Sequence, residues 1–296
     1  MGWNYINKKG DLLFDFEFAE AGPFRSGLAR VKVDNKWGYI NPKGEMMINP
    51  QWKDAGDFEC GLAPVFVDGR WGYIDRAGNE AIKPQYDFAW SFAEDFAAVS
   101  IEKKWGFIDK KGELKVKPQL DFVWSFSEGK AMALLKDTWY CFSATGKVLH
   151  KPNYTYVGPF FEKRARVNIG GRRIGPRFVQ GGKWGFIDRM GALVIRPEYD
   201  FVWNFSEELS CVYQKETDNW FYVDALGQKR LEVDVESARS FSQGLAAVQL
   251  KERWGFMDKQ GLMVIETLFT QVGDFSEGIA KVKKKQADEP ETTLLG

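Results

Sequence analysis

The residues of this chain that could do covalent or metal chemistry are few, and their spacing argues against both. His150 is the one histidine among 296 residues. Alone it cannot supply the His-based ligand sets of zinc sites, and no Cys-x-x-Cys accompanies it. Cys60, Cys141 and Cys211 fall at three different phases of the repeat described below. A disulfide framework would recur in phase, so free thiols are expected. The sequence holds no Gly-x-x-x-x-Gly-Lys-Ser/Thr loop and no strand-to-helix Gly-x-Gly-x-x-Gly. Carboxylates recur as Asp75, Asp109, Asp188, Asp224 and Asp258, always at a place that opens a turn, which assigns them to turn geometry. The expectation is a chain without catalytic, cofactor-binding or metal-binding residues.

These side chains are carried by a repeat. Trp3, Trp37, Trp71, Trp105 and Trp139 are spaced by 34, and Trp184, Trp220 and Trp254 follow at steps of 45, 36 and 34. Counting from each Trp as zero, +7 is Gly and +21 is Phe in all eight units. Position +26 is Ala except at Ser210, and +28 is Val except at Ala133. A period near 34 also suits helical hairpin arrays. Here Gly at +1 and +7, Pro at +13 and Gly at +24 interrupt every candidate helix, at about 1 kcal/mol per Gly and 3 per Pro.

Strands fit instead. Lys36-Trp37-Gly38-Tyr39-Ile40 and its equivalents are aromatic and β-branched, and they end in turns such as Asn41-Pro42-Lys43-Gly44. A second strand follows (Leu193-Val194-Ile195), closed by a Pro such as Pro50, Pro84, Pro118, Pro152 or Pro197. A third is Gly27-Leu28-Ala29-Arg30-Val31. The unit reads as a three-stranded antiparallel meander, with room for a short fourth segment near Tyr86-Asp87 or Tyr199-Asp200. Alternation puts Trp and the +2 aromatic on one face and Gly and Ile on the other, so both faces are apolar and both must be covered. The +1 Gly implies that a neighbouring backbone or ring comes close there.

The fold class is therefore all-β: eight tandem units of about 34 residues over residues 1–284, followed by a tail at 285–296. The chain offers eight Trp strands and eight Ala-x-Val strands, the first and last without sequence-adjacent partners. Pairing those orphans would close a propeller-like ring, which is favoured over an open superhelix with exposed edges. The short unit is the argument against closure, since propeller repeats usually run to 40 residues or more. Lys plus Arg and Asp plus Glu are both 41, so neither nucleic acid nor a membrane surface is expected as partner. No signal-like segment opens the chain, and the expected location is cytoplasmic.

With the unit laid out as Lys-Trp-Gly-Tyr/Phe-Ile-Asp-x-x-Gly, Ile-x-Pro-x-Tyr-Asp and Phe-Ser-Glu-Gly-Leu-Ala-x-Val, the chain resembles the bacterial WG-repeat family over nearly its whole length. Trp3-Asn4, Trp139-Tyr140 and Trp220-Phe221 depart from Trp-Gly, and packing over that position must differ there. The resemblance implies β-rich repeats and contributes no catalytic residues.

Departures from the repeat are the places to seek function. Position +19 is Gly in four units, Arg239 in one, and Trp90, Trp124 and Trp203 in the other three. Those rings either pack over the adjacent connector or form an aromatic strip for a protein or a sugar. Between Val167 and Trp184 lies an insertion rich in Gly that carries Arg172, Arg173 and Arg177. It reads either as a mobile basic loop that meets a partner or as a tolerated hairpin extension. The expected role is a non-enzymatic scaffold that binds another protein; the alternative is a carbohydrate-binding module built on the three tryptophans.

Overall fold

The computed structural model describes residues 2–284; the expected tail at 285–296 lies outside the described residues. Every regular element among them is a β-strand. Six four-stranded antiparallel sheets and one six-stranded sheet follow one another around a ring, with one separate two-stranded ribbon.

Each four-stranded blade runs from inside outward in chain order. In the Trp37 blade these strands are Glu20–Ala21, Ala29–Val33, Lys36–Ile40 and Met46–Trp52. The short fourth segment is thus a real strand, and it is the innermost one: Asp54–Ala55, Phe88–Ala89, Phe122–Val123 and Phe201–Val202 in other blades. Four strands fit into 34 residues because this inner strand is so short and because the outermost strand passes into the next blade across a single residue, as at Trp52 to Asp54. A unit counted from Trp to Trp therefore supplies the two outer strands of one blade and the two inner strands of the next.

That offset closes the ring. The first Trp strand, Asn4–Asn7, pairs with the last strand, Ile279–Lys284, in the register Asn4↔Val282, Tyr5↔Lys281, Ile6↔Ala280 and Asn7↔Ile279. The two orphan strands clasp each other. The six-stranded sheet holds two units, because Met263–Val272 is unbroken and pairs with the Trp254 strand at one end and with Ile279–Lys284 at the other. Eight units thus occupy seven sheets.

Two residues of the motif explain the local shape. A Cβ on Gly38 would lie 2.7 Å from the Ile48 carbonyl oxygen and 2.8 Å from the Pro50 nitrogen. The outermost strand bulges over this glycine, jumping from the pair Tyr39↔Ile48 to Trp37↔Trp52. Proline is tolerated in the bulge because the outermost strand is an edge and needs no further ladder bond. The close neighbour anticipated over the +1 Gly is therefore backbone. Where Gly is replaced, the covering changes as expected. Phe221 pairs in regular register with Glu232, without a bulge beside Trp220. Asn4 sends its side-chain amide to the carbonyls of Phe14 and Phe16. At +7, all eight glycines have φ between 77 and 88°. Each rests on the +11 side chain of the preceding unit, as Gly78 does on Ile48 and Gly112 on Ile82.

Candidate interaction surface

Position +19 lies on the innermost strand or directly after it, beside +27 of the second strand, and the two share one slot. Gly22, Gly56, Gly158 and Gly273 face the larger Arg30, Pro64, Arg166 and Lys281, whose side chains would lie 2.5–2.9 Å from an added Cβ. Trp90, Trp124 and Trp203 bond through their backbone N–H to Ala98, Met132 and Cys211, and a tryptophan opposite Arg or Lys would not fit. In five blades the slot residue covers the Trp of its own blade. Arg30 lies over Trp37 at 5.0 Å, Arg166 over Trp184 at 5.8 Å, Arg239 over Trp254 at 4.5 Å and Lys281 over Trp3 at 4.4 Å. Trp90 does the same to Trp105, with centroids 5.4 Å apart. These are cation–π and edge-to-face contacts made by alternative residues at one place.

Trp90 and Trp124 come together, with centroids 6.3 Å apart. Phe122 touches both, at 5.8 and 4.9 Å. The chain of rings continues through Trp105 to Phe88 on one side and through Tyr156 to Trp184 on the other. Trp203 stands apart; it packs with Phe201 and belongs to a different core cluster. All three indoles are half-buried. Trp124 and Trp203 donate their ring N–H to the carbonyls of Val157 and Ala238 in the next blade, so both also bind blades together.

The insertion is a paired ribbon, the hairpin extension of the two readings, and not a mobile loop. Arg172–Arg173 pairs with Val179–Gln180, extending the hairpin between the Arg164–Ile169 and Lys183–Asp188 strands. Its tip folds back across the neighbouring blades. The Arg177 guanidinium sits 4.5 Å from Trp90, 5.4 Å from Phe122 and 5.9 Å from Trp124. Arg173 donates to the Asp137 carbonyl oxygen and lies 3.4 Å from its carboxylate. Arg172 points to solvent, and Ile174 and Phe178 beside Arg177 are 61% and 67% exposed. The insertion thus meets two of the three +19 tryptophans, Trp90 and Trp124, at one surface, and Trp203 lies outside it. Phe88 and Phe122, two residues before the +19 position, belong to that surface and were missed because that place varies without pattern among acidic, aromatic and neutral polar residues, Ser237 and Gln271 included.

A second ring of contacts passed unnoticed in the sequence. Residue +23 has positive φ in all eight units, from 49 to 56°. Where it is Glu or Gln, its side chain caps the corresponding turn of the next unit. Glu94 accepts from Gly129 N–H, Glu128 from Lys163, Glu162 from Glu207 and Glu208, and Glu207 from Gly244. Gln243 and Glu277 continue the series to Gly278 and Gly27. The series is interrupted at Ser26 and Cys60, where the adjacent pair Arg25–Glu59, 3.6 Å apart, spans the same two turns.

The remaining chemistry-bearing residues have structural partners. The recurring Asp at +4 accepts from two backbone N–H groups of its own turn, as Asp75 does from Ala77 and Asn79. These bonds hold the Asp75 carboxyl below the usual range. Cys141 and Cys211 are buried and unpaired, and burial pushes the Cys141 thiol up to about 11. Cys60 is only half-buried. His150 occupies the +11 position and packs on Gly191. No group of His, Cys, Asp and Glu among the described residues is arranged to hold a metal ion.

The closed circle of antiparallel four-stranded blades defines a β-propeller. The WG containing repeat profile matches eight times, over residues 3–37, 37–71, 71–105, 105–139, 142–172, 184–216, 220–254 and 254–286, and the chain belongs to that family. No curated protein matches it. A crystal structure of a eukaryotic initiation factor is similar with a TM-score of 0.55 at 10% identity, covering 84% of this chain and 76% of that one. Hsv2 of Kluyvelomyces marxianus gives 0.47 at 8% identity over 70% and 75%. The Pan2 WD40 domain of Neurospora crassa gives 0.44 at 12% over 88% and 88%. The likeness to the initiation factor is one of fold.

Proposed function

We propose that this WG-repeat propeller is a non-enzymatic module that binds another protein through the surface formed by Trp90, Phe122, Trp124 and the ribbon at 170–181. The observation that carries this reading is the seat of Arg177 over three aromatic rings, flanked by the exposed Ile174 and Phe178. Aromatic rings and arginine dominate the energetics of protein interfaces. The ribbon costs a long excursion from the repeat and contributes no blade, so its place over the aromatic cluster is best explained by a partner that contacts both. Half-buried Trp90 and Trp124 also support their own blades, which makes the ribbon the better target for a test. Unpaired Cys141 and Cys211 are consistent with a reducing, cytoplasmic setting, and the family resemblance is in keeping with a bacterial source.

Immobilised full-length protein, the deletion of residues 170–181 and Arg177→Ala should be compared as baits for proteins from the source cell. Retention of a specific partner by the wild type and its loss from both variants, with unchanged melting temperatures, is the expected result. Equal retention by all three would end the assignment to this surface.

A further inference from the structure

A cavity of about 630 Å3 lies inside the ring. Arg25, Phe161, Asn204, Ser240 and Asp274 line it from five successive blades, beginning with the Trp184 blade and ending with the Trp37 blade on the opposite side. The space is therefore on the axis, and the innermost strands with their following turns form its wall. Its size is within the roughly 300–1,000 Å3 of small-molecule sites.

The wall combines aromatic surface with unused hydrogen-bond acceptors. Trp203, Trp254 and Phe161 supply rings. Asn204 lines the wall, but its Oδ1 is buried away from the open space and has no hydrogen-bond partner. Ser240 and Ser242 spend their protons on the carbonyls of Asn204 and Phe275, which leaves their oxygen lone pairs free. Formal charge is balanced: Arg239 lies 3.6 Å from Asp274 and Arg25 lies 3.6 Å from Glu59. Arg239 also donates to the Val272 carbonyl and covers Trp254. A charged ligand would meet no net opposite charge there. A ligand that brings its own donors for the serines, and has an apolar face for the rings, suits this wall.

We infer that the axial cavity binds a neutral polyhydroxylated ligand of monosaccharide to disaccharide size, whose hydroxyls donate to the two serines while its C–H face stacks on Trp203, Trp254 or Phe161. The inference is independent of the protein-binding surface, since the ribbon at 170–181 contributes nothing to the cavity wall.

Calorimetric titration of the full chain with glucose, galactose and mannose, followed by tryptophan fluorescence, tests it, with inorganic phosphate and acetate as charged probes. Saturable binding of at least one hexose is expected, with neither anion binding. Ser240→Ala, which removes one acceptor from the wall, should weaken that hexose severalfold. Phe161→Ala, on a 39% exposed side chain, should weaken it severalfold without disturbing the fold and decides the matter if Ser240→Ala does not fold. Deletion of residues 170–181 should leave hexose affinity unchanged. The inference is overturned if no hexose binds the folded wild type, if an anion binds in their place, or if the folded cavity variants keep full affinity.

Discussion

At the scale of single residues, the Trp-Gly pair is a contact between a glycine and the backbone of the edge strand. Gly38→Ala pushes a methyl group into the Ile48 carbonyl and Pro50, and neither can withdraw without undoing the bulge. It should cost about 3 kcal/mol, at the upper end of overpacking effects, read from urea denaturation. Phe221 keeps its side chain at the equivalent position without such a clash, because that outermost strand runs without the bulge. His150 stands where Ile48, Ile82 and Ile195 stand in other units. Its Nε2 is buried without a partner, and burial, aided by the Lys130 cation and opposed by Asp188 and the Arg189 carbonyl, holds its pKa below the usual value. The folded state therefore favours neutral imidazole. Stability is intact above pH ~6.5, the ordinary histidine value, and falls as pH drops from there through the lower folded value. His150→Ile should remove that part of the pH dependence and raise the melting temperature at pH 5 more than at pH 8. The invariant positions and the turn role of the +4 Asp were legible in the sequence because each depends on neighbours a few residues away. The partners of His150 were not, because Gly191 lies in the next unit.

At the scale of strands and turns, the slot shared by +19 and +27 makes a sharper test than any single site. Trp90→Gly should cost about 3 kcal/mol through the lost ring contacts with Trp105 and Phe122. Adding Ala98→Arg recreates the Gly–Arg arrangement of the Trp37 and Trp184 blades and should recover a third or more of that loss, roughly 1 kcal/mol. An additive pair in the double-mutant cycle would mean that the positions do not share a slot. The alternation was present in the letters as Gly with Arg, Pro or Lys, and Trp or Arg with Ala, Met or Cys. It could be read only once the two positions were known to be cross-strand neighbours. The +23 side chains are a second case. Glu162→Ala leaves two turn N–H groups without their carboxylate and should lower stability by about 1 kcal/mol. The family motif displays this Glu, but its exposure made it look like ordinary turn surface. The placement of Arg177 over Trp90 was beyond reach, since no local rule directs an inserted ribbon across two blades.

At the scale of the whole molecule, closure follows from the half-blade offset between the sequence repeat and the structural one. Counting orphan strands anticipated it correctly. The expected objection, a unit too short for a propeller, fails because a two-residue inner strand suffices when it abuts the previous blade directly. A circular permutant that joins residue 284 to residue 2 through a short flexible linker, with new ends at 175 and 176 in the ribbon, should therefore fold. Its near-ultraviolet circular dichroism should match the parent; a collapsed or aggregating product would contradict the pairing of Asn4–Asn7 with Ile279–Lys284.

That same pairing sets a schedule for synthesis. The partners Asn4 and Val282 are separated by about 280 residues, nearly the full chain. At roughly 5–20 residues per second, the opening Trp strand leaves the ribosome some 15–55 seconds before its partner exists. During that interval its apolar face and unpaired backbone remain available to other chains. Slower translation of the final unit should thus increase aggregation of this protein, whereas the finished ring, with no early or late end, should unfold as one.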